Sequence, residues 1–297
     1  MGLPRIAPYQ LPVAGDIPEP RGPWKIEAGR AVLLVHDMQT YFVRAFDRTM
    51  APIAPAIANM ARLIEQARAL EIPVFYTAQT GDQDRRDRGL QADLWGPGMS
   101  NDPGETAIVA ELAPKAGERV LVKHRYSAFQ RSNLEPLMRV RGRDQLIVTG
   151  IYAHIGCLMT ASEAFQRDFE TFVVADAMAD FSRAEHDMAV RWVAGRCGVA
   201  MTTDAILQAL GAAPALSDVL TRERMRADIA ATIHEDPGEI GDDDNLVDLG
   251  LDSMRAMTLV TGWRDLGLDL DFSEFAQDPT LSRWWAVVER RLRKMAA

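Results

Sequence analysis

Three residues in the first half of the chain have the right types for proton chemistry: Asp37, Gln79 and Lys123. Each closes or directly follows a short apolar run. An acid beside a lysine can exchange protons with a bound substrate. A fourth stretch, Leu146 to Cys157 (LIVTGIYAHIGC), offers a thiol, Cys157, with Gly156 just before it. It starts as an apolar run, breaks at Thr149-Gly150 and continues into a helical pattern from Leu158, which reads as strand, turn and helix. A turn of that kind presents backbone N–H groups to a ligand at the carboxyl end of a strand. Taken singly, Asp37 reads equally well as a capping residue, Lys123 as a surface charge and Gln79 as a loop amide. Their shared placement at strand ends makes them candidates for one site.

The elements that must position them follow from hydrophobic spacing. Ala31 to His36 is a continuous apolar run, the mark of a strand buried on both faces. Residues 53–70 carry apolar side chains at helical spacing, and 73–77, 119–122, 145–148, 171–174 and 198–201 read as further strands. Between them, 105–112, 132–141, 158–168, 183–196 and 203–210 read as helices. Alternation of this kind implies right-handed crossovers and a three-layer α/β domain with a parallel sheet. Asp37, Gln79, Lys123 and the Gly150 turn then converge on one crevice. Pro4, Pro8, Pro12, Pro18, Pro20 and Pro23 make residues 1–30 an extended arm. The polar segment Gly81 to Pro103 contains Trp95 in LWGPGM and suits a lid or pocket wall.

At 297 residues the chain accommodates two domains, and 47% hydrophobic with 25% charged residues is ordinary for a globular protein. Residues 1–210 form the first expected domain, 211–216 a linker and 217–297 the second. Beyond the linker the strand signals stop. Helical patterns at 217–233, 253–266, 272–276 and 281–295, with an acidic loop at 237–251, predict a small all-α four-helix bundle. From Leu216 onward there are 10 Lys+Arg against 17 Asp+Glu, so most of the net charge of −9 lies in this tail. Such a surface repels nucleic acid and suits basic protein patches. No apolar run reaches the length of a membrane span, and the proline-rich amino terminus lacks the pattern of a signal peptide. Two cysteines, Cys157 and Cys197, give no disulfide framework, which fits a reducing cytoplasm. The five histidines (His36, His124, His154, His186, His234) show no metal-ligand spacing, and no metal is expected. His36, within its strand, is expected to be a hydrogen-bonded core group.

The order Asp37, Lys123 and the turn at 150–157 resembles the isochorismatase-like hydrolase superfamily, as do the segments HDMQTYF, YTAQ, LWGPGM, KHRYSAF, TGIYAHIGC and VADAMADFSRAEH. The resemblance covers residues 1–210. In that superfamily an Asp-Lys-Cys triad places its cysteine six residues after the turn glycine, and here that count lands on Gly156 rather than Cys157. The true isochorismatases lack the cysteine. What this implies is hydrolysis of isochorismate, a vinyl ether: protonation of its terminal methylene carbon gives an oxocarbenium ion, which water captures before pyruvate leaves. The resemblance makes Asp37 the acid and Lys123 the group that orients it and stabilises anionic substrate. Gln79 and Arg88 are assigned to substrate carboxylates or hydroxyls, Tyr152 and the backbone to Gly156 to the pyruvyl end, and Trp95 and Phe129 to the pocket walls. A bare Gly156 is expected to leave room for water and the vinyl ether. Cys157 is expected to be a buried, inert thiol.

In the second domain, DNLVDLGLDSMR resembles the attachment loop of acyl and peptidyl carrier proteins, in which the serine, here Ser253, accepts 4′-phosphopantetheine. Serine in this place also commonly caps a helix. Met254, Met257 and Leu268 are expected to form a docking surface beside it. The fused pair resembles the bifunctional isochorismatase/aryl carrier proteins of catecholate siderophore assembly by nonribosomal peptide synthesis. That resemblance implies a phosphopantetheinyl transferase, an aryl-adenylating ligase and a condensation domain as partners, with a homo-oligomeric hydrolase. The readings it competes with are a cysteine amidase using Cys157, a non-catalytic scaffold for the carrier, and a hydrolase of 2-amino-2-deoxyisochorismate.

Overall fold

The structure, a computed structural model, describes residues 3–211 and 220–295. The chain divides into two compact units, Met1–Ala212 and Ala213–Ala297. The expected linker at 211–216 and the helix start at Ser217 lie, apart from Gly211, outside the described residues.

The first unit is built on six strands: β1 (Ala31–His36), β2 (Val74–Ala78), β3 (Arg119–Val122), β4 (Gln145–Ile151), β5 (Glu170–Ala179) and β6 (Val199–Met201). All neighbouring pairs are parallel, in the order β3-β2-β1-β4-β5-β6. The principal helices are α1 (Ile53–Ala69), α2 (Leu134–Arg139), α3 (Leu158–Gln166), α4 (Arg183–Arg196) and α5 (Thr203–Ala209). All six residues of β1 are buried, because alternate side chains enter different layers. Leu33 and Val35 pack with Ile57, Met60 and Leu63 of α1 and Ile206 of α5. Val32 and Leu34 pack with Met138 of α2, Ala161 and Ala164 of α3, and Val190 and Val193 of α4. Each such aliphatic side chain fully buried contributes about 1.5–3 kcal/mol.

The chain winds outward from β1 through β2 to β3, then returns to β4 on the other side of β1. The sheet order therefore reverses between β1 and β4, and in open parallel sheets the crevice beyond such a reversal is where ligands sit. Asp37 and the Tyr152–Cys157 turn flank it.

Several expected boundaries shift for identifiable reasons. The break expected at Thr149-Gly150 falls after Ile151, and Gly150 is inside β4. Its φ is +105°, and a Cβ there would lie 2.2 Å from His36 O, so only glycine fits. The register against β5 slips between Val148 and Gly150. The strand expected at 171–174 runs on to Ala179. The helix expected at 105–112 is a helical turn at Pro103–Thr106 and a 3₁₀ turn at Ala110–Leu112, parted by an antiparallel bridge between Gln39 and Ile108. The lid segment holds two short helical turns, Arg85–Arg88 and Gln91–Trp95.

From residue 3 to 30 the arm contains one 3₁₀ turn, Ala14–Asp16. It is pinned to the unit by buried Ile6 and Ile26 and by Tyr9. The Tyr9 hydroxyl accepts from Asp180 N at 2.7 Å and meets His186 Nδ1 at 3.0 Å.

The second unit comprises α6 (Arg222–Ile233), α7 (Ser253–Asp265), α8 (Phe272–Ala276) and α9 (Leu281–Met295). Trp263, Phe275 and Trp284 meet edge-on or tilted at its centre, with ring centroids 5.4–6.2 Å apart. The indole N–H groups are satisfied by Asp228 and the Phe275 carbonyl. Among the described residues no helix is long and apolar enough to cross a membrane.

Candidate active site

The crevice at the sheet reversal holds about 620 Å³ of free space, its solvent mouth included. Asp37, Gln79, Arg88, Trp95, Lys123, Tyr152 and Gly156 all line it. Of the eight first-unit residues assigned to the site from sequence, the structure brings seven together; Phe129 is the exception. Its ring is buried against Phe169, with centroids 5.8 Å apart, inside the helix-side core. The aromatic wall expected of it is supplied by Tyr126, three residues earlier, whose hydroxyl accepts from Trp95 Nε1 at 2.7 Å.

Asp37 is placed by the end of β1, where the chain turns with φ +50°. A non-glycine residue in that region is strained by about 1–3 kcal/mol, a cost typical of functional sites. Its carboxylate is held on both oxygens. Thr77 Oγ1 donates to Oδ1 at 2.7 Å, Lys123 Nζ lies 2.9 Å from Oδ2, and Gln79 Nε2 is 3.4 Å from Oδ2. Lys123 is buried and also donates to the carbonyls of Arg125, at 2.7 Å, and Tyr126, at 3.3 Å. Burial pushes the Asp37 carboxyl up, but the Lys123 cation, helped by the Thr77 hydroxyl, outweighs it and holds the carboxyl below its usual value. In the free site Asp37 is an anion at neutral pH.

Gln39 was not singled out by sequence, yet it fixes the rim. Fully buried, it accepts from Gln79 N at 2.7 Å and donates to Gln79 O at 2.9 Å and Thr106 O at 2.8 Å. Arg88 is buried in the lid with its Nε on Gly96 O at 2.5 Å, and burial pulls its guanidinium below the usual value. Among the described residues no carboxylate pairs with it. Leu3, Tyr41, Phe42, Ile155 and Phe181 complete the walls. Tyr152 stacks on Phe46 and donates its hydroxyl to Phe42 O at 3.1 Å.

The space over Gly156 is not open, contrary to the expectation from sequence. The His36 ring fills it: a Cβ on Gly156 would lie 2.1 Å from His36 Cε1. Cys157 is buried, its Sγ turned to Thr149 O at 3.8 Å, and burial raises its thiol well above the usual value. A neutral thiol facing away from the pocket is not a nucleophile. His154, Asp180 and Glu185 bring three donor atoms within 4.8 Å of one another. Asp180, however, already accepts from His154 N and Nδ1, both at 2.6 Å, and from Phe181 N at 2.8 Å, so its oxygens close the turn.

In the second unit Ser253 opens α7, fully on the surface, but it is not the cap. Asp252 is, accepting from Met254 N and Arg255 N at 3.0 and 2.8 Å. No hydrogen bond among the described residues engages the Ser253 hydroxyl. Met254 and Met257 are 79% and 52% exposed beside it, whereas Leu268 is buried in the core and cannot dock a partner.

The first unit is a parallel α/β fold with a buried Asp–Lys pair at its switch point and, among the described residues, no cysteine thiol facing the pocket; the second is a helical unit with an exposed serine at the start of a capped helix. Comparison with known proteins places the chain further. The isochorismatase domain matches residues 31–205 and the phosphopantetheine attachment site matches residues 223–288. The chain is 48% identical to the isochorismatase of Bacillus subtilis (strain 168) over 98% of its own length and 96% of that protein's. It is 44% identical to enterobactin synthase component B of Escherichia coli (strain K12) over 99% and 100%. A crystal structure of a cysteine hydrolase from Pseudomonas syringae shares the fold of the first unit, with TM-score 0.59 and 23% identity over 65% of this chain and 96% of the other. The chain belongs to the isochorismatase family, in a form that carries a phosphopantetheine carrier domain.

Proposed function

We propose that the pocket of the first unit hydrolyses the vinyl ether of isochorismate to 2,3-dihydro-2,3-dihydroxybenzoate and pyruvate, with Asp37 as proton donor. The second unit carries an aryl group as a thioester of 4′-phosphopantetheine on Ser253, in siderophore synthesis. One observation supports the hydrolytic assignment above the rest. Among the described residues the one carboxyl group lining the pocket is that of Asp37, and it stands between Lys123 and Gln79 in a lining shared with Arg88, which has no carboxylate partner among those residues.

The steps follow from that arrangement. A substrate carboxylate pairs with Arg88, whose planar fork suits a bidentate contact. A second carboxylate near Asp37 opposes the anionic form of the acid, so that substrate binding raises a carboxyl the free site holds down. Asp37 then gives its proton to the methylene carbon as the C–C double bond supplies the electrons. The resulting oxocarbenium ion takes up water, which gives one proton back to the Asp37 carboxylate; the hemiketal then breaks its bond to the ring oxygen, its hydroxyl proton passes to that oxygen, and pyruvate and the diol leave. Lys123 keeps the Asp37 oxygens in place and stabilises the carboxylate left behind. Gln79, fixed by Gln39, offers its amide to the substrate from the rim, and Trp95 and Tyr126 close the lid side against water.

An amidase using Cys157 requires a thiolate facing the pocket, and the thiol is neither. A pure scaffold has no use for a buried ion pair under a cavity, since replacing such a pair by apolar residues is often stabilising. The fused carrier favours isochorismate over its 2-amino-2-deoxy analogue, since a relative that shares both domains over its whole length is enterobactin synthase component B. The transferase, an aryl-adenylating ligase and a condensation domain are the partners this assigns to the second unit, with the hydrolase self-associating in the cytoplasm.

A coupled pyruvate assay tests the reading. Wild type releases pyruvate from isochorismate, Cys157→Ala does the same, and Asp37→Ala falls by about 10²- to 10⁴-fold, the usual contribution of a general acid. Full activity in Asp37→Ala sinks the mechanism. For the second unit, intact mass after incubation with coenzyme A and a transferase gains one phosphopantetheine arm, and Ser253→Ala gains none.

A further inference from the structure

The His36 ring lies where a side chain on Gly156 would have to be. A Cβ on Gly156 would sit 2.1 Å from Cε1, 2.8 Å from Nε2 and 2.9 Å from Nδ1 of that ring, distances that nonbonded atoms do not tolerate. Both partners are buried, His36 fully and Gly156 within the turn that follows β4. The ring, with one N–H when neutral, is tied at Nδ1. Nδ1 lies 2.8 Å from Ile151 O, the last residue of β4, and the shorter contact assigns its proton there. Nε2 faces Tyr126 O at 3.3 Å, the carbonyl that also accepts from Lys123 Nζ. Nδ1 is 3.9 Å from Asp37 Oδ1.

One imidazole thus touches all three pieces of chain that bear the site: β1 with Asp37, the turn from Tyr152 to Gly156, and the loop after β3 with Lys123. We infer that His36 is a positioning residue for the vinyl-ether hydrolysis, and that it and Gly156 form a coupled pair that fixes what the pocket can do. With the ring in place no side chain, thiol or otherwise, fits at 156, and the pocket keeps to proton donation by Asp37. With any side chain at 156 the ring must shift, and Ile151 O loses the hydrogen bond that aligns the turn with the acid, while the packing of the ring against Tyr126 O in the lysine loop is lost with it. Burial holds the ring neutral, so it adds no competing charge beside the Asp37–Lys123 pair.

This inference rests on the hydrolytic reading above, and a double-substitution cycle separates the two. Four chains are compared for pyruvate release and for melting temperature: wild type, Gly156→Ala, His36→Ala and the double variant. Gly156→Ala is expected to lower kcat by at least 100-fold with KM changed less than threefold, because the acid rather than the substrate contacts is misplaced. The double variant is expected to exceed Gly156→Ala in kcat by tenfold or more and to melt higher than it, since removing the ring makes room for the methyl. His36→Asn, whose amide can still donate to Ile151 O, is expected to keep at least ten times the kcat of His36→Leu. A merely structural histidine would not give that ranking among folded variants of matched melting temperature. Independent effects at the two positions, in rate and in melting temperature, overturn the pairing. Wild-type kcat in His36→Leu overturns the positioning role. If wild type releases no pyruvate, the hydrolytic reading falls and the positioning role with it, whereas non-additive melting temperatures would still uphold the steric pairing.

Discussion

Acidification should loosen the proline-rich arm from the first unit, through one histidine. His186 is fully buried on α4, and Tyr9 meets its Nδ1 at 3.0 Å. The Tyr9 oxygen already accepts from Asp180 N, so its own proton points to Nδ1, which must be the unprotonated nitrogen. Nε2 has no hydrogen-bond partner among the described residues. Burial pulls the imidazole down from 6.5 to about 4, against the pull of Asp180 and Asp187 and with the help of Arg183. The sign follows directly. Between pH 6.5 and about 4 the unfolded chain binds a proton that the folded chain refuses, so stability falls as the pH falls through that window. At pH 4.5 the loss amounts to about 2–3 kcal/mol, a sizeable share of the roughly 5–15 kcal/mol that holds a domain folded. Urea unfolding of the first unit's transition, from pH 8 to 4.5, in wild type and His186→Gln is the assay. Other groups titrate in the same range. His36 is also held neutral by burial, while His154 is raised because Asp180 outweighs burial, and taking the difference between the two chains removes both. The wild-type advantage over His186→Gln is expected to shrink by about 2–3 kcal/mol on acidification. A difference that stays within about 0.5 kcal/mol across the range refutes the argument. Protease cleavage within residues 3–30 should rise over the same pH interval in wild type and lose that dependence in the variant.

Lys123→Met leaves Asp37 buried without its cation, and should destabilise the first unit by about 3–5 kcal/mol near pH 8. With the cation gone, burial raises the Asp37 carboxyl, so the deficit should narrow toward pH 5 as the acid protonates. Melting curves at the two pH values check this. Arg88→Gln removes a charged hydrogen-bond donor from the pocket, and kcat/KM for isochorismate should fall by roughly 10- to 100-fold, the equivalent of about 1.5–3 kcal/mol, with melting temperature little changed. Phe129→Ala should do the reverse, costing about 3–5 kcal/mol of stability through the cavity it leaves while kcat in the surviving folded enzyme stays near wild type.

The sheet was legible because its strands are apolar on both faces, a pattern that leaves AVLLVH little choice but the centre of a parallel sheet. The placement of Asp37, Gln79 and Lys123 followed from strand ends alone, since the carboxyl ends of parallel strands share one edge. Loop side chains were harder to read. In KHRYSAF both Tyr126 and Phe129 are aromatic, and nothing in the order of residues says which one turns to the pocket once the backbone leaves the strand. His36 was recognised as a hydrogen-bonded core group, but not its contact with Gly156, because the pair is 120 residues apart in sequence. Gln39 was passed over for a similar reason: its partners, Gln79 and Thr106, come from segments whose approach depends on the Gln39–Ile108 bridge. At α7 a serine and an aspartate stand side by side, both good caps, and only the backbone shows that Asp252 takes that role and leaves Ser253 free.

The sheet order has a consequence for the time at which this protein becomes an enzyme. β1 pairs with β4 in register from Ala31 with Gln145 to His36 with Gly150, across more than a hundred intervening residues. During synthesis, β1 can meet β2 early, but the crevice has only one wall until β4 leaves the ribosome, and Phe181, from just beyond β5, arrives later still. Contacts so distant in sequence are slow to close, and until they close the apolar edge of β1 stands open to other chains. The nascent hydrolase is therefore most exposed to misassembly in the interval between β3 and β4, and a pause in translation placed there should lower the yield of soluble protein more than the same pause placed after β6.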